Sequence, residues 1–228
     1  MKKRNLLVVT FLLLSVLLVS GICNGAAITP KWVAYDYTTK VEPPTGFAEG
    51  SSSSSMSSFC KIDNGVLIMD TMSAPTAGPT YRLPVSTTKV GFKFTVVVRA
   101  KANSNIGMDF DFRSGLRERI KLLNSVIELN TSGNKADIKA TDWHTYFISY
   151  EFIDDAGITK LVTKVYVDGG VAPLIEGKST TADSASYFRF GDGSGSDGYA
   201  GSIDWIMWTF DGAYSPDQVN LPDGFSLK

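Results

Sequence analysis

Two runs near the C-terminus alternate apolar and polar residues with a period of two. They are Tyr187-Phe-Arg-Phe190 and Ile203-Asp-Trp-Ile-Met-Trp-Thr-Phe210. A helical face repeats every 3.6 residues, so a period of two selects extended strands with one face buried. The stretch between them is rich in glycine and carries Asp192 and Asp197. Short strands of this kind need sheet partners and a second layer to pack against.

The rest of the chain repeats the pattern. Residues 32–37, 66–69, 92–100, 106–113, 119–130, 145–153 and 161–168 read as strands. Turn formers separate them: Asp63-Asn-Gly65, Asn103-Ser-Asn105, Ser114-Gly115, Thr131-Ser-Gly-Asn134, Asp154-Asp-Ala-Gly157 and Asp168-Gly-Gly170. Residues 116–129 score weakly as helix, but their Ile120/Leu122 and Val126/Ile127 pattern around a central Asn-Ser fits a hairpin better. The expected fold is all-β, a two-sheet antiparallel sandwich. The serine-rich residues 50–58 read as a long surface loop rather than a linker, because too few residues precede them to form a domain.

Met1-Lys-Lys-Arg4 followed by an apolar run over residues 6–19 and small residues up to Ala27 is the pattern of a secretory signal peptide, assigned to residues 1–26. The run is short for a bilayer span, and no second such run follows, so no membrane span is expected after signal removal. A lipidated Cys23 is a lesser reading, since Ile22 fits poorly before it. Residues 27–228 are then one exported domain, secreted or periplasmic. Three of the 22 basic residues, Lys2, Lys3 and Arg4, fall in the signal; the remaining 19 face 23 acidic residues, a net of about −4. A nucleic-acid footprint is basic, which argues against that class of partner. Only Cys60 remains after processing, so no internal disulfide is expected.

Trp143-His-Thr-Tyr-Phe-Ile-Ser-Tyr150 followed by Val165-Tyr-Val-Asp-Gly169, with Asn64-Gly-Val-Leu67 upstream, resembles the strands of laminin-G-like domains in the concanavalin A-like lectin and glucanase superfamily. The resemblance spans roughly residues 32–216 and implies a jelly roll. It also implies a structural calcium on an aspartate of the final strand, which Asp204 resembles. Backbone carbonyls near residues 40–46 and Gly65 would complete an oxygen shell. Asp192 and Asp197 are a second option for calcium. The β-glucanases of this superfamily carry Glu-x-Asp-x-x-Glu on one strand. None of the six glutamates here, Glu42, Glu49, Glu118, Glu128, Glu151 and Glu176, has Asp two residues later.

The nearest substitute is Ile106-Gly-Met-Asp-Phe-Asp-Phe-Arg-Ser114. Met108, Phe110 and Phe112 take one face, while Asp109, Asp111 and Arg113 take the other. Two carboxylates two residues apart suit acid–base work on a glycosidic bond, or they are simply the polar face of a half-buried strand. His144 is the sole histidine; it is either a lyase base or a structural residue at a strand start. Tyr187 and Arg189 alternate with Phe188 and Phe190 and so face away from the core. Asp109, Asp111, Arg113, Tyr187 and Arg189 are the expected ligand-binding set, and arginine hints at uronate or sulfate groups. The expected function is glycan or polysaccharide binding. The alternatives are a polysaccharide hydrolase or lyase with catalysis at Asp109, Asp111 or His144, and a cell-surface structural or adhesion protein.

Overall fold

The computed structural model describes residues 27–37, 40–50, 55–86, 89–193 and 196–227. Residues 1–26, read above as a signal, and the serine run 51–54 lie outside the described residues. Along the chain come β1 (Val33–Asp36), β2 (Ala48–Glu49), β3 (Cys60–Asp63), β4 (Val66–Asp70), β5 (Thr80–Pro84), β6 (Lys93–Ala102) and β7 (Ile106–Leu123). Then follow β8 (Val126–Leu129), β9 (Asn134–Asp137), β10 (His144–Asp155), β11 (Ile158–Val167), β12 (Ile175–Ser179), β13 (Ala182–Gly191) and β14 (Ala200–Thr209). Two single-turn 3-10 helices, Met56–Ser58 and Pro216–Gln218, are the only helical elements among the described residues.

The strands form two antiparallel sheets. One is eight-stranded, ordered β12-β11-β10-β6-β14-β4-β3 with β1 also on β14; the other is six-stranded, ordered β2-β5-β13-β7-β8-β9. Their inner faces meet through aromatic rings. Phe112 of β7 stacks on Tyr150 of β10 at 4.8 Å, and Phe94 of β6 meets Phe188 of β13 at 5.5 Å. Each such pair adds about 0.5–1.5 kcal/mol beyond the area it buries. Asn64 and Gly65 both take positive φ between β3 and β4, which a two-residue hairpin turn requires.

Two local readings of the sequence are corrected. Ser114-Gly115 is not a turn between strands. β7 runs through it, with Gly115 at φ +79° and a register shift in the partner strand between Asp183 and Ser186. The true hairpin lies at Asn124-Ser125, between β7 and β8. In β14 the pairing with β6 skips Asp204. This bulge lets Ile203 and Ile206, three residues apart, both face the main core, while Trp205 and Met207 face outward.

The outward face of the eight-stranded sheet is covered. Val97, Phe147, Tyr166, Trp205 and Met207 form a second core with Trp32, Tyr214, Val219, Leu221, Phe225 and Leu227. Trp32 Nε1 donates to the Asn220 carbonyl at 2.9 Å, and Thr95 Oγ1 donates to the Gly212 carbonyl at 2.8 Å, which ties both chain ends over this sheet. Among the described residues no such second core covers the outer side of β7 and β13, and polar residues gather there.

Candidate functional site

β7 is inward at even positions and outward at odd ones: Met108, Phe110, Phe112, Ile120 and Leu122 enter the core. Asp109, Asp111, Arg113, Arg117 and Arg119 therefore share the outer side. β13 lies beside β7 with Arg189 opposite Asp111 and Tyr187 opposite Arg113, and β5 lies beyond with Arg82 opposite Arg189. All five expected ligand-binding residues are thus brought together.

They do not form a wet surface, however. Asp109 is 1% exposed and Asp111 0%, and Arg189 is 8% exposed. Arginines close over the carboxylates. Asp111 accepts from Arg113 Nε and Nη2 (2.9 and 2.8 Å), Arg117 Nε and Nη2 (both 3.1 Å) and Arg189 Nε and Nη2 (3.0 and 2.8 Å). Arg113 Nη1 also reaches Asp183 at 3.3 Å. Burial pushes the Asp111 carboxyl up, but Arg113, Arg189 and Arg117 together outweigh it and hold the group below its ordinary value. Asp111 is the anionic hub of this face.

Asp109 differs. Its Oδ2 accepts from Arg119 Nε at 2.6 Å and from Arg119 Nη2, with the Tyr199 hydroxyl 3.5 Å away. Arg119 Nη2 also donates to the Tyr199 hydroxyl at 2.9 Å. Asp109 Oδ1 is buried without a hydrogen-bond partner among the described residues. Burial raises this carboxyl from 3.8 to about 6; Arg119 opposes the rise and Asp111 adds to it. The result is a buried acid that changes charge near neutral pH, beside one that stays ionised. Gly193 fits against them because a Cβ there would meet Asp109 Oδ2 at 2.5 Å.

The Tyr187 ring is ringed by guanidinium groups. The Cζ atoms of Arg82, Arg113 and Arg189 lie 4.9, 5.5 and 5.9 Å from its centroid. Arg82, Arg117, Arg119, Asp183 and Tyr199 were not among the expected residues. Arg117 and Arg119 carried a readable signal, the same odd parity as Asp109 to Arg113, which a turn at Ser114-Gly115 concealed.

Other candidates fall elsewhere. His144 lies at the start of β10 in the opposite sheet, with Nδ1 2.7 Å from Asp168 Oδ2 and Nε2 3.2 Å from the Lys139 carbonyl. It ties the start of β10 to Asp168 and Lys139 and does not join Asp109 and Asp111. Glu118 points inward and accepts from the backbone N–H groups of Arg119, Thr131 and Ser132, which secures the β8–β9 turn. Burial pushes the Cys60 thiol up to about 12, leaving little thiolate. Asp204 sits at the β14 bulge, 3.2 Å from Arg99 Nε. A cation there would compete with that guanidinium, and no group of three or more His, Cys, Asp or Glu side chains converges among the described residues. Asp192 is buried and accepts from Thr71 Oγ1 at 2.6 Å, tying the glycine loop to β4. No helix among the described residues is long and apolar enough to cross a membrane.

No family model matches the chain, and no curated protein sequence matches it. Solved structures do share its architecture. A protein of unknown function, SO2946 from Shewanella oneidensis MR-1, superposes with a TM-score of 0.54 at 14% identity, covering 80% of this chain and 87% of that one. The apo Crh5 transglycosylase gives 0.52 at 10% identity, covering 85% and 92%. An engineered GH43 glycoside hydrolase gives 0.51 at 11% identity over 81% of this chain and 41% of that one. At these identities the likeness establishes the fold: the chain is an antiparallel β-sandwich of the kind found among glycoside hydrolases and transglycosylases.

Proposed function

We propose that this protein binds polysaccharide with the outer face of its six-stranded sheet. The observation that carries the reading is the gathering of Arg82, Arg113, Arg117, Arg119, Arg189 and Tyr187 over Asp109 and Asp111, on the sheet face that the chain termini leave open. A planar guanidinium held in place by a buried carboxylate is a pre-ordered donor for sugar oxygens. Fold neighbours support the reading at a coarse level: Crh5 transglycosylase has been solved with NAG. We read the chain as a laminin-G-like member of the concanavalin A-like superfamily that is secreted through its N-terminal signal.

The second reading is a polysaccharide hydrolase or lyase on the same face. It rests on Asp109, whose carboxyl is raised to about 6 and whose Oδ1 has no hydrogen-bond partner among the described residues. A proton donor of that kind suits acid–base work.

The test is retention of the purified protein on an array of polysaccharides, with soluble sugar release followed in the same wells. Binding that Arg117→Ala weakens, without product, supports a recognition module. Product that Asp109→Asn abolishes supports the enzyme. Retention untouched by Arg117→Ala and Tyr187→Ala refutes the assignment to this face.

A further inference from the structure

Building on the glycan-binding reading, we infer that the ligand is a polyanionic polysaccharide, one that bears carboxylate or sulfate ester groups along its length. Charge on the face is the first reason. Arg113, Arg117, Arg119 and Arg189 meet Asp109, Asp111 and Asp183, and Arg82 lies over the Tyr187 ring beside them. At the Asp111 hub, Arg113, Arg117 and Arg189 face Asp111 and Asp183, an excess of one positive charge, while Asp192 and Asp197 stand near Tyr199 at the Arg119 end. The side chains of Arg113, Arg117 and Arg119 are only 18%, 25% and 15% exposed. Water therefore screens the excess incompletely, and an anion is the natural complement.

Donor geometry is the second reason. Arg117 and Arg119 spend Nε and Nη2 on the inner aspartates and on Tyr199. Among the described residues Nη1 of either has no hydrogen-bond partner, so each can offer N–H to a group arriving from outside. Charge-assisted bonds of this type are roughly twice as strong as neutral ones. Arg113, Arg117 and Arg119 stand on one face of a single strand. Their guanidinium groups converge: Nη2 of Arg113, Arg117 and Arg189 lies 2.8, 3.1 and 2.8 Å from Asp111 Oδ2, and Arg119 holds Asp109 beside it, a compact cluster that takes one charged group of a polymer at a time.

The third reason is what the face lacks. Neutral glycans gain much of their affinity by stacking on bare aromatic rings. Among the described residues, three guanidinium groups already surround the Tyr187 ring, and the Tyr199 ring beside Arg119 is buried. Trp32 and Trp205 lie in the covered core on the other sheet, Trp208 lies in the main core, and Trp143 packs with Arg99 and Lys101 of β6. Affinity on this face has to come from charge.

The test uses the full purified protein in affinity electrophoresis against two matched pairs: polygalacturonate with its methyl-esterified form, and a sulfated galactan with agarose. The pairs separate carboxylate from sulfate as the source of charge. Retention on at least one charged member is expected, about tenfold or more weaker on its neutral partner, and largely abolished near 1 M salt, where screening acts within about 3 Å. Arg117→Ala is expected to weaken retention about tenfold, the scale of one charge-assisted bond, with Arg117→Lys intermediate. Lys164→Ala, on the other sheet, serves as the unchanged control. Melting curves of each variant separate lost binding from lost folding. Equal retention on charged and neutral members overturns the polyanion inference and leaves the glycan reading standing. Failure to bind these and every neutral polymer overturns both.

Discussion

Removing the Asp111 carboxylate should unbalance the arginine face more than any other single change. Three guanidinium groups converge on this carboxylate, which is 0% exposed, and a fourth, Arg119, lies nearby on Asp109. In Asp111→Ala those cations keep their positions but lose their counter-charge. Breaking a buried ionic network by deleting one partner costs about 3–5 kcal/mol. The lower end applies here, because Arg113 keeps Asp183 and Arg117 is a quarter exposed. For a domain of this size 1 kcal/mol moves the melting temperature by about 2–4 °C, so a loss of about 3 kcal/mol lowers it by about 6–12 °C. Thermal and urea unfolding near neutral pH measure the effect, with an unchanged m-value showing that the folded state is intact. Asp183→Ala, which removes one contact of Arg113 and the bond from the Ala185 N–H, should cost less than Asp111→Ala. The variant face is also more positive, so polygalacturonate should stabilise Asp111→Ala more than the wild type. A cost below about 1 kcal/mol for Asp111→Ala would show that the carboxylate does not organise these arginines.

Three further outcomes follow from the same geometry. Because burial lifts Asp109 from 3.8 to about 6, its contribution to stability is fully present below pH 3.8 and is lost as pH rises through about 6. The whole effect is about 3 kcal/mol. The melting temperature of the wild type relative to Asp109→Asn should therefore fall between pH 4 and 7, and a flat difference would contradict the buried acid. His144→Ala should lose about 1 kcal/mol through its Asp168 bond and leave polysaccharide retention unchanged; lost retention at full stability would bring the histidine back as a functional residue. Since Arg99 already pairs with Asp204, the melting temperature should be indifferent to chelator. A fall on chelation that calcium restores, and that Asp204→Ala removes, would establish a calcium site there.

The fold was legible because the strands declare themselves one residue at a time. Met108, Phe110 and Phe112 against Asp109, Asp111 and Arg113 state which side of β7 is which, and the structure keeps that division. Period 2 says nothing about whether the polar side is wet. Asp109 and Asp111 are buried because Arg189 arrives from β13, 78 positions away from Asp111, a pairing that no local pattern contains. Two irregularities also hid part of the site. Gly115 reads as a turn residue, yet at φ +79° it lets β7 continue, so Arg117 and Arg119 join the face. Asp204 reads as an ordinary strand residue, yet the bulge there takes it out of alternation. At Asp204 a bulge breaks the alternation, and hydrophobic periodicity is weakest at such a position; at Gly115 the alternation of β7 persists and the irregularity lies in β13, between Asp183 and Ser186.

The central claim is that the arginine face of the six-stranded sheet takes the glycan. Its most direct measurement is an NMR titration that follows the side-chain Nε–H signals of the arginines as a polygalacturonate oligomer is added to the folded protein. The account requires Arg113, Arg117, Arg119 and Arg189 to shift together and saturably, while Arg99 on the eight-stranded sheet stays still. Shifts confined to Arg99, or to the edge loops with the four face arginines unmoved, would contradict it.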